Sequence, residues 1–100
     1  MALFIAQHQH AADRCPAKDP RMGVQLLQHL SAENAAKSGI TIHGEAVATG
    51  KHRLYLILEA PNEETLKRFL QPFSQAGTVE VLPAASCELV VDQGGCDAPG

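Results

Sequence analysis

The chain has 100 residues, 45% hydrophobic and 19% charged, which excludes a multidomain enzyme, a wholly disordered chain and a collagen-like chain. Only 4% of the residues are aromatic, so aliphatic side chains must build the core, and we expect stability to need a partner chain. Eight basic against 11 acidic residues give a formal charge of -3 without a basic run, which argues against nucleic-acid binding.

The compartment follows from the N-terminus and the cysteines. The apolar run 2–6 has no basic residue before it and soon becomes polar, so we expect neither a signal peptide nor a membrane span. An odd number of widely spaced cysteines is typical of reduced thiols and predicts a cytoplasmic protein. A disulfide between Cys87 and Cys96 is an alternative, because the glycines at 94–95 allow the chain to fold back.

The first part of the chain predicts a strand, a loop and a helix. Residues 2–8 are apolar and then alternate, as in a strand, whereas 9–19 show no period and indicate a long loop. Asp19 before Pro20 marks a helix start, because the carboxylate accepts from a free backbone N–H and proline needs no donor. The helix should run to about Leu30 and bury one apolar stripe, which consists of Met22, Leu26, Leu27 and Leu30.

A second short helix and a hairpin follow. Ser31 can cap a helix that extends to Lys37, and Gly39 can take the left-handed position that closes it. The runs 40–49 and 53–59 form a hairpin around a three-residue loop. Its register places one set of residues on the core face, namely Ile40, Ile42, Gly44, Ala46, Ala48, Leu54, Leu56 and Leu58. The opposite face carries Thr41, His43, Glu45, Val47, Arg53, Tyr55, Ile57 and Glu59.

The last part predicts one more helix and one more strand. Asn62 caps a helix whose apolar stripe is Leu66, Phe69, Leu70 and Phe73. Pro72 predicts a kink in that helix before Gly77 closes it. Residues 78–82 form the fourth strand, so that 1–86 make one domain and 87–100 a C-terminal tail. Within this tail 87–91 are a short apolar segment, and we expect 92–100 to be frayed.

The order strand, helix, strand, strand, helix, strand predicts an α+β protein of the ferredoxin-like βαββαβ type. In it a four-stranded antiparallel sheet carries both helices on one face, and the open face needs a partner. By element order over nearly the whole chain, the sequence resembles the dimeric α+β barrel group. The resemblance implies a homodimer formed through the open sheet face; members of that group include small monooxygenases, haem binders and metal binders.

Histidine and cysteine residues suggest a metal site. His8 and His10 lie two apart on or just after the first strand, so their side chains share a face about 7 Å apart. Cys15 follows in the loop, and His43 lies on the hairpin. This set of imidazoles and a thiolate suits Zn, Cu or Ni. The alternative is that His8 and His10 are solvated residues at a strand end.

A second set of residues suggests an enzyme. His43, Glu45 and Tyr55 would form an acid–base group in a semi-apolar cavity, which a cofactor-independent monooxygenase or isomerase could use. The alternative is that Glu45 forms an ion pair with Arg53 or with a base of a partner chain. We expect His29 and His52 to be exposed and without a role.

Three functions therefore remain open at this stage. The first is a homodimer that binds a transition metal or a small ligand, and the second is the small monooxygenase or isomerase. The third is a dimer with a purely structural or regulatory role. Bound metal would favour the first function, and an enzymatic activity that is lost when His43 is replaced would favour the second. A dimer with neither metal nor cavity would favour the third function.

Overall fold

The structure is a computed structural model and describes residues 1–97. It is an α+β fold with a four-stranded antiparallel sheet. The strands are Ala2–His10 (β1), Thr41–Ala48 (β2), Arg53–Ala60 (β3) and Gly77–Ala84 (β4). The helices are Pro20–His29 (α1), Ala32–Lys37 (α2), Glu63–Phe69 (α3), Gln71–Ala76 (α4) and Cys87–Asp92 (α5). The last residues of the predicted tail, 98–100, lie outside the described residues.

The sheet has the order β2-β3-β1-β4, and every neighbouring pair is antiparallel. The first two helices connect β1 to β2, and the next two connect β3 to β4. Because β1 and β3 run in opposite directions, the last residues of β1 lie beside the first of β3, with Gln9 opposite Arg53. The end of β1 and the turn before β3 therefore meet at one end of the sheet, between its two central strands.

The core lies between the helices and one face of the sheet. Alternate residues of β1 and β3 point into it, as the two-residue period of a strand requires. The buried apolar side chains are Phe4, Ala6, Leu30, Ala35, Ile40, Leu54, Leu56, Leu58, Ala60, Leu66, Phe69, Leu70 and Phe73. The apolar stripe predicted for the helix after Asn62 is confirmed, because all four of its members are in this core.

The predicted helix caps are confirmed. The Asp19 carboxylate accepts from the backbone N–H of Arg21 at 2.9 Å. The Ser31 hydroxyl likewise accepts from the N–H of Asn34 at 3.2 Å. Ser31 therefore starts a new helix, and α1 and α2 are separate helices. Gly39 has a φ of 71°, the left-handed conformation expected where the short helix closes.

The predicted hairpin register is wrong. The turn contains a 3₁₀ segment, Thr49–Lys51, followed by His52, so that Ala48 rather than Thr49 lies opposite Arg53. A β-bulge between Ile42 and Gly44 shifts the pairing again. Since paired residues share a face, Glu45 and Val47 lie on the same side as Leu56 and Leu54. The residues moved to the opposite side are Gly44, Ala46 and Ala48.

The stripe predicted for α1 is only partly buried. Leu30 is in the core and Leu26 packs against it, but Met22 and Leu27 are exposed. A cavity of about 300 Å³ separates α1 from α4, and Leu26 and Phe73 line it. Met22 also lines this cavity, which leaves part of its side chain uncovered, whereas Leu27 does not line it.

The C-terminal segment contains a helix that was not predicted. Ser86 accepts from the N–H of Leu89 at 3.2 Å and caps α5, which occupies the first six residues assigned to the tail. In the described part of the chain, no helix combines the length and the apolar character that crossing a membrane requires.

Candidate metal centre

Three residues with metal-ligating side chains meet where β1 ends. His10 is the last residue of β1, Cys15 lies between two short 3₁₀ turns, and His52 ends the turn before β3. One ligand atom of each lies within 4.8 Å of the other two, and all three residues are half-buried. The main chain fixes part of this arrangement, because the N–H of His10 donates to the carbonyl of His52 at 3.2 Å.

A chain of hydrogen bonds orients the ring of His10. Nδ1 of His8 lies 3.1 Å from the carbonyl oxygen of Thr78, and Nε2 of His8 lies 3.2 Å from Nδ1 of His10. A carbonyl oxygen only accepts, so Nδ1 of His8 carries a proton and Nε2 of the neutral ring accepts. His10 therefore donates through Nδ1, and its Nε2 keeps a free lone pair. This is the tautomer that a metal ion needs.

Nε2 of His10 is the one buried side-chain nitrogen or oxygen without a hydrogen-bond partner in the described part of the chain. Leaving such an atom unpaired costs about 1–3 kcal/mol. A bound cation would satisfy the lone pair, which points to a ligand at this position.

The backbone of His52 is held in an unfavourable conformation. Its φ of 50° and ψ of 45° place it in the left-handed region, and among the described non-glycine residues it alone has a positive φ. This conformation costs on the order of 1 kcal/mol, and such strain is concentrated at functional sites. In this conformation the imidazole of His52 packs edge-on against that of His10, with ring centroids 5.3 Å apart.

Both histidines of β1 are held neutral. Burial lowers the pKa of His8 below its ordinary value of 6.5, although the hydrogen bond to Thr78 partly opposes the shift. Burial also lowers the pKa of His10, with a smaller contribution from the charge of His52. Because a metal binds the neutral imidazole, these shifts keep Nε2 of His10 available near neutral pH.

The three donors fit a transition metal better than a hard cation. Two imidazole nitrogens and a thiolate are ligands of Zn, Cu and Ni, whereas Mg and Ca prefer oxygen. Tetrahedral zinc sites hold such ligand atoms about 3.3–3.8 Å apart. The present atoms lie within 4.8 Å of one another, so they need to approach by at most about 1.5 Å. Cys15 lies in the irregular segment between β1 and α1, where a shift of that size disturbs no strand pairing.

The structure brings two of the four residues predicted as metal ligands into this group, His10 and Cys15. His8 is adjacent but only 5% exposed, and both its nitrogens are engaged, so it orients His10 instead. His43 lies elsewhere, with Nε2 3.5 Å from Oε1 of Glu59. The third member, His52, was expected to be exposed and without a role.

The residues predicted as an acid–base group are not all brought together. His43 pairs with Glu59 on the open face, where the hydroxyl of Tyr55 lies 3.2 Å from a guanidinium nitrogen of Arg53. Glu45 is opposite Leu56 and so faces the other side of the sheet.

The disulfide between Cys87 and Cys96, which the sequence left as an alternative, is not formed. Cys87 and Cys96 are both free and exposed, and Cys15 is free as well. Cys15 is thus available to bind a metal as a thiolate.

Lowering the pH is expected to destabilise the metal-free protein. The unfolded chain binds a proton at His8 near pH 6.5, whereas the folded chain, with its lowered pKa, does not. The free energy of unfolding should therefore fall as the pH decreases from 6.5 towards the folded-state pKa, and the contribution is fully present above 6.5. Urea denaturation with a chelator at several pH values measures this slope. A His8→Phe variant with an unchanged slope would contradict the assignment to His8.

A comparison with protein-family models identifies the family of this chain. A family model described as "Domain of unknown function (DUF3303)" matches residues 3–94. None of the curated proteins matches the sequence. The matched region includes every residue of the candidate metal centre.

Proposed function

We propose that this chain, which belongs to the DUF3303 family of unknown function, binds a transition-metal ion through His10, Cys15 and His52. The observation that carries the proposal is the buried, unpaired Nε2 of His10 beside a thiol and a second imidazole. Zn, Cu and Ni are the metals that suit these donors.

Two further features support the proposal. Ligating histidines usually donate their second ring N–H to a fixed acceptor, and His10 donates to His8, which in turn donates to Thr78. Metal binding would also explain the left-handed backbone of His52, because a different backbone conformation at this residue would change the direction of its imidazole.

Metal loading tests the proposal directly. Chelator-treated protein should take up one Zn or Co ion per chain in native mass spectrometry, and its melting temperature should rise with the metal concentration. The Co-loaded protein should also show the near-ultraviolet charge-transfer absorption of a thiolate bound to cobalt. Protein that stays metal-free, and whose melting temperature does not change when Zn, Cu or Ni is added, would exclude the proposed function.

For the fold we propose the ferredoxin-like class, with a homodimer of the dimeric α+β barrel type. The alternation of strands and helix pairs supports the class. The open face, defined as the sheet side opposite the helices, supports the dimer. Ile57 is 49% exposed there and Leu82 41%, and the half-buried Leu3, Ile5 and Tyr55 extend the apolar surface.

Replacing an apolar residue of the open face should separate the dimer. In Ile57→Lys, a charge would be buried without a partner when a second copy covers the sheet, so light scattering should report a monomer. Leu27→Lys is the matched control, because Leu27 is 66% exposed on α1, away from that face, and should leave the dimer intact. A wild-type monomer at the same concentration would rule out the assembly.

We also propose that the protein works in the reducing cytoplasm. All three cysteines are free thiols, and a metal site that uses Cys15 requires that thiol to stay reduced.

A further inference from the structure

The candidate metal centre offers fewer protein ligands than a closed metal site. Among residues 1–97, the cluster contains His10, Cys15 and His52 and no fourth histidine, cysteine or carboxylate. Structural zinc sites use four protein ligands, whereas sites that bind substrate use three and leave one position to water. With three donors, a tetrahedral ion would keep one coordination position for a ligand from solution.

The charge of the loaded centre favours a negative ligand. The thiolate of Cys15 contributes one negative charge, and the two neutral imidazoles contribute none, so a divalent ion would leave one positive charge. The rings that pack against His10 are those of His8 and His52, and no aspartate or glutamate of residues 1–97 belongs to the cluster. A small monoanion would neutralise the centre, and a dianion would exceed its charge.

The position of the centre allows exchange with solvent. His10, Cys15 and His52 are each half-buried, so the ion would lie at the boundary between the core and water. Nε2 of His10 is buried and would bind the ion from the protein side, and the hydrogen bond to His8 holds that ring in place. Because the three ligands are only half-buried, a small ligand from solution can reach the centre.

We propose that the metal centre keeps an exchangeable coordination position that takes water, hydroxide or another small monoanion. This inference rests on the proposed metal binding and adds that the ion is reactive towards ligands rather than purely structural. A metal ion with a bound water is a Lewis acid and makes that water easier to deprotonate. The geometry thus points to a ligand-binding centre rather than to a structural zinc site.

Azide titration of the cobalt-loaded protein tests the inference. Azide is a small monoanion, and its binding to cobalt changes the visible absorption of the ion. We expect a saturable change at one azide per cobalt, with the thiolate-to-cobalt charge-transfer band retained throughout. His43→Ala is the matched control, because His43 pairs with Glu59 outside the centre and its loss should leave the titration unchanged.

The outcomes separate this inference from the proposed function. If the charge-transfer band forms but excess azide changes nothing, the metal binds and the open position does not exist, for example because a second copy supplies the fourth ligand. If azide removes the band, the anion extracts the cobalt, which also overturns the inference. If the band never forms, the proposed metal binding itself is wrong.

Discussion

Replacing His10 with alanine is expected to lower the affinity for Zn or Co by on the order of 100-fold or more. Loss of a residue that only orients a ligand typically costs 10–100-fold, so loss of the ligand itself should cost at least as much. His10 holds the buried side of the centre, and the two remaining ligands both come from connecting segments outside the regular strands and helices. Competition titration against a chelating dye measures the affinity.

The other two ligands provide matched variants. Cys15→Ser keeps the size of the side chain but replaces a soft thiolate with a hydroxyl, so zinc affinity should fall strongly while the melting temperature of the metal-free protein stays the same. His52→Gly removes a ligand and relieves the left-handed strain, because glycine adopts a positive φ freely. We expect this variant to bind metal weakly and, without metal, to be about 1 kcal/mol more stable than the wild type.

These opposite effects make the prediction specific. A variant that lost metal because it failed to fold would lose stability as well, whereas His52→Gly should gain it. His43→Ala, which leaves all three ligands in place, should bind metal like the wild type. Wild-type affinity in His10→Ala would contradict the assignment of the centre to these residues.

The strand order explains the position of the third ligand. In the observed sheet β1 and β3 are antiparallel neighbours, which brings the end of β1 beside the start of β3. His10 and His52 hold those two positions, so the fold alone predicts that they are close. The sequence analysis selected His43 instead, because it lies on the hairpin face that was predicted to carry Glu45 as well. It also ended β1 at residue 8, two residues short of His10.

The hairpin register could not be predicted from the spacing of residues in the sequence. Whether the loop has three or four residues depends on whether Thr49 takes 3₁₀ or extended dihedrals, and a threonine accepts both. The one-residue difference moves Glu45 to the other side of the sheet from Tyr55. The caps at Asp19, Ser31 and Asn62 were predictable because each depends on one side chain and the backbone a few residues ahead.

Replacing Gly77 with alanine is expected to destabilise the protein by about 3 kcal/mol, at the upper end of the cost of overpacking. Gly77 is opposite His10 in the β1–β4 pairing, and a Cβ atom there would overlap the backbone carbonyl of Gln9 and lie 3.0 Å from Cα of His10. Its φ of 176° is ordinary extended backbone, so the cause is close approach of the strands and not strain. Both atoms belong to backbone in a paired strand, which cannot rotate away.

Thermal unfolding measures the effect, which should lower Tm by about 15 °C for a domain of this size. Gly50→Ala is the matched control, because nothing lies within 4 Å of the added methyl group, and its Tm should change little. Since His10 ends the strand that must shift, Gly77→Ala should also weaken zinc binding, although it changes none of the three ligands. A Tm equal to that of Gly50→Ala would mean that β1 and β4 are farther apart at this edge than the register places them.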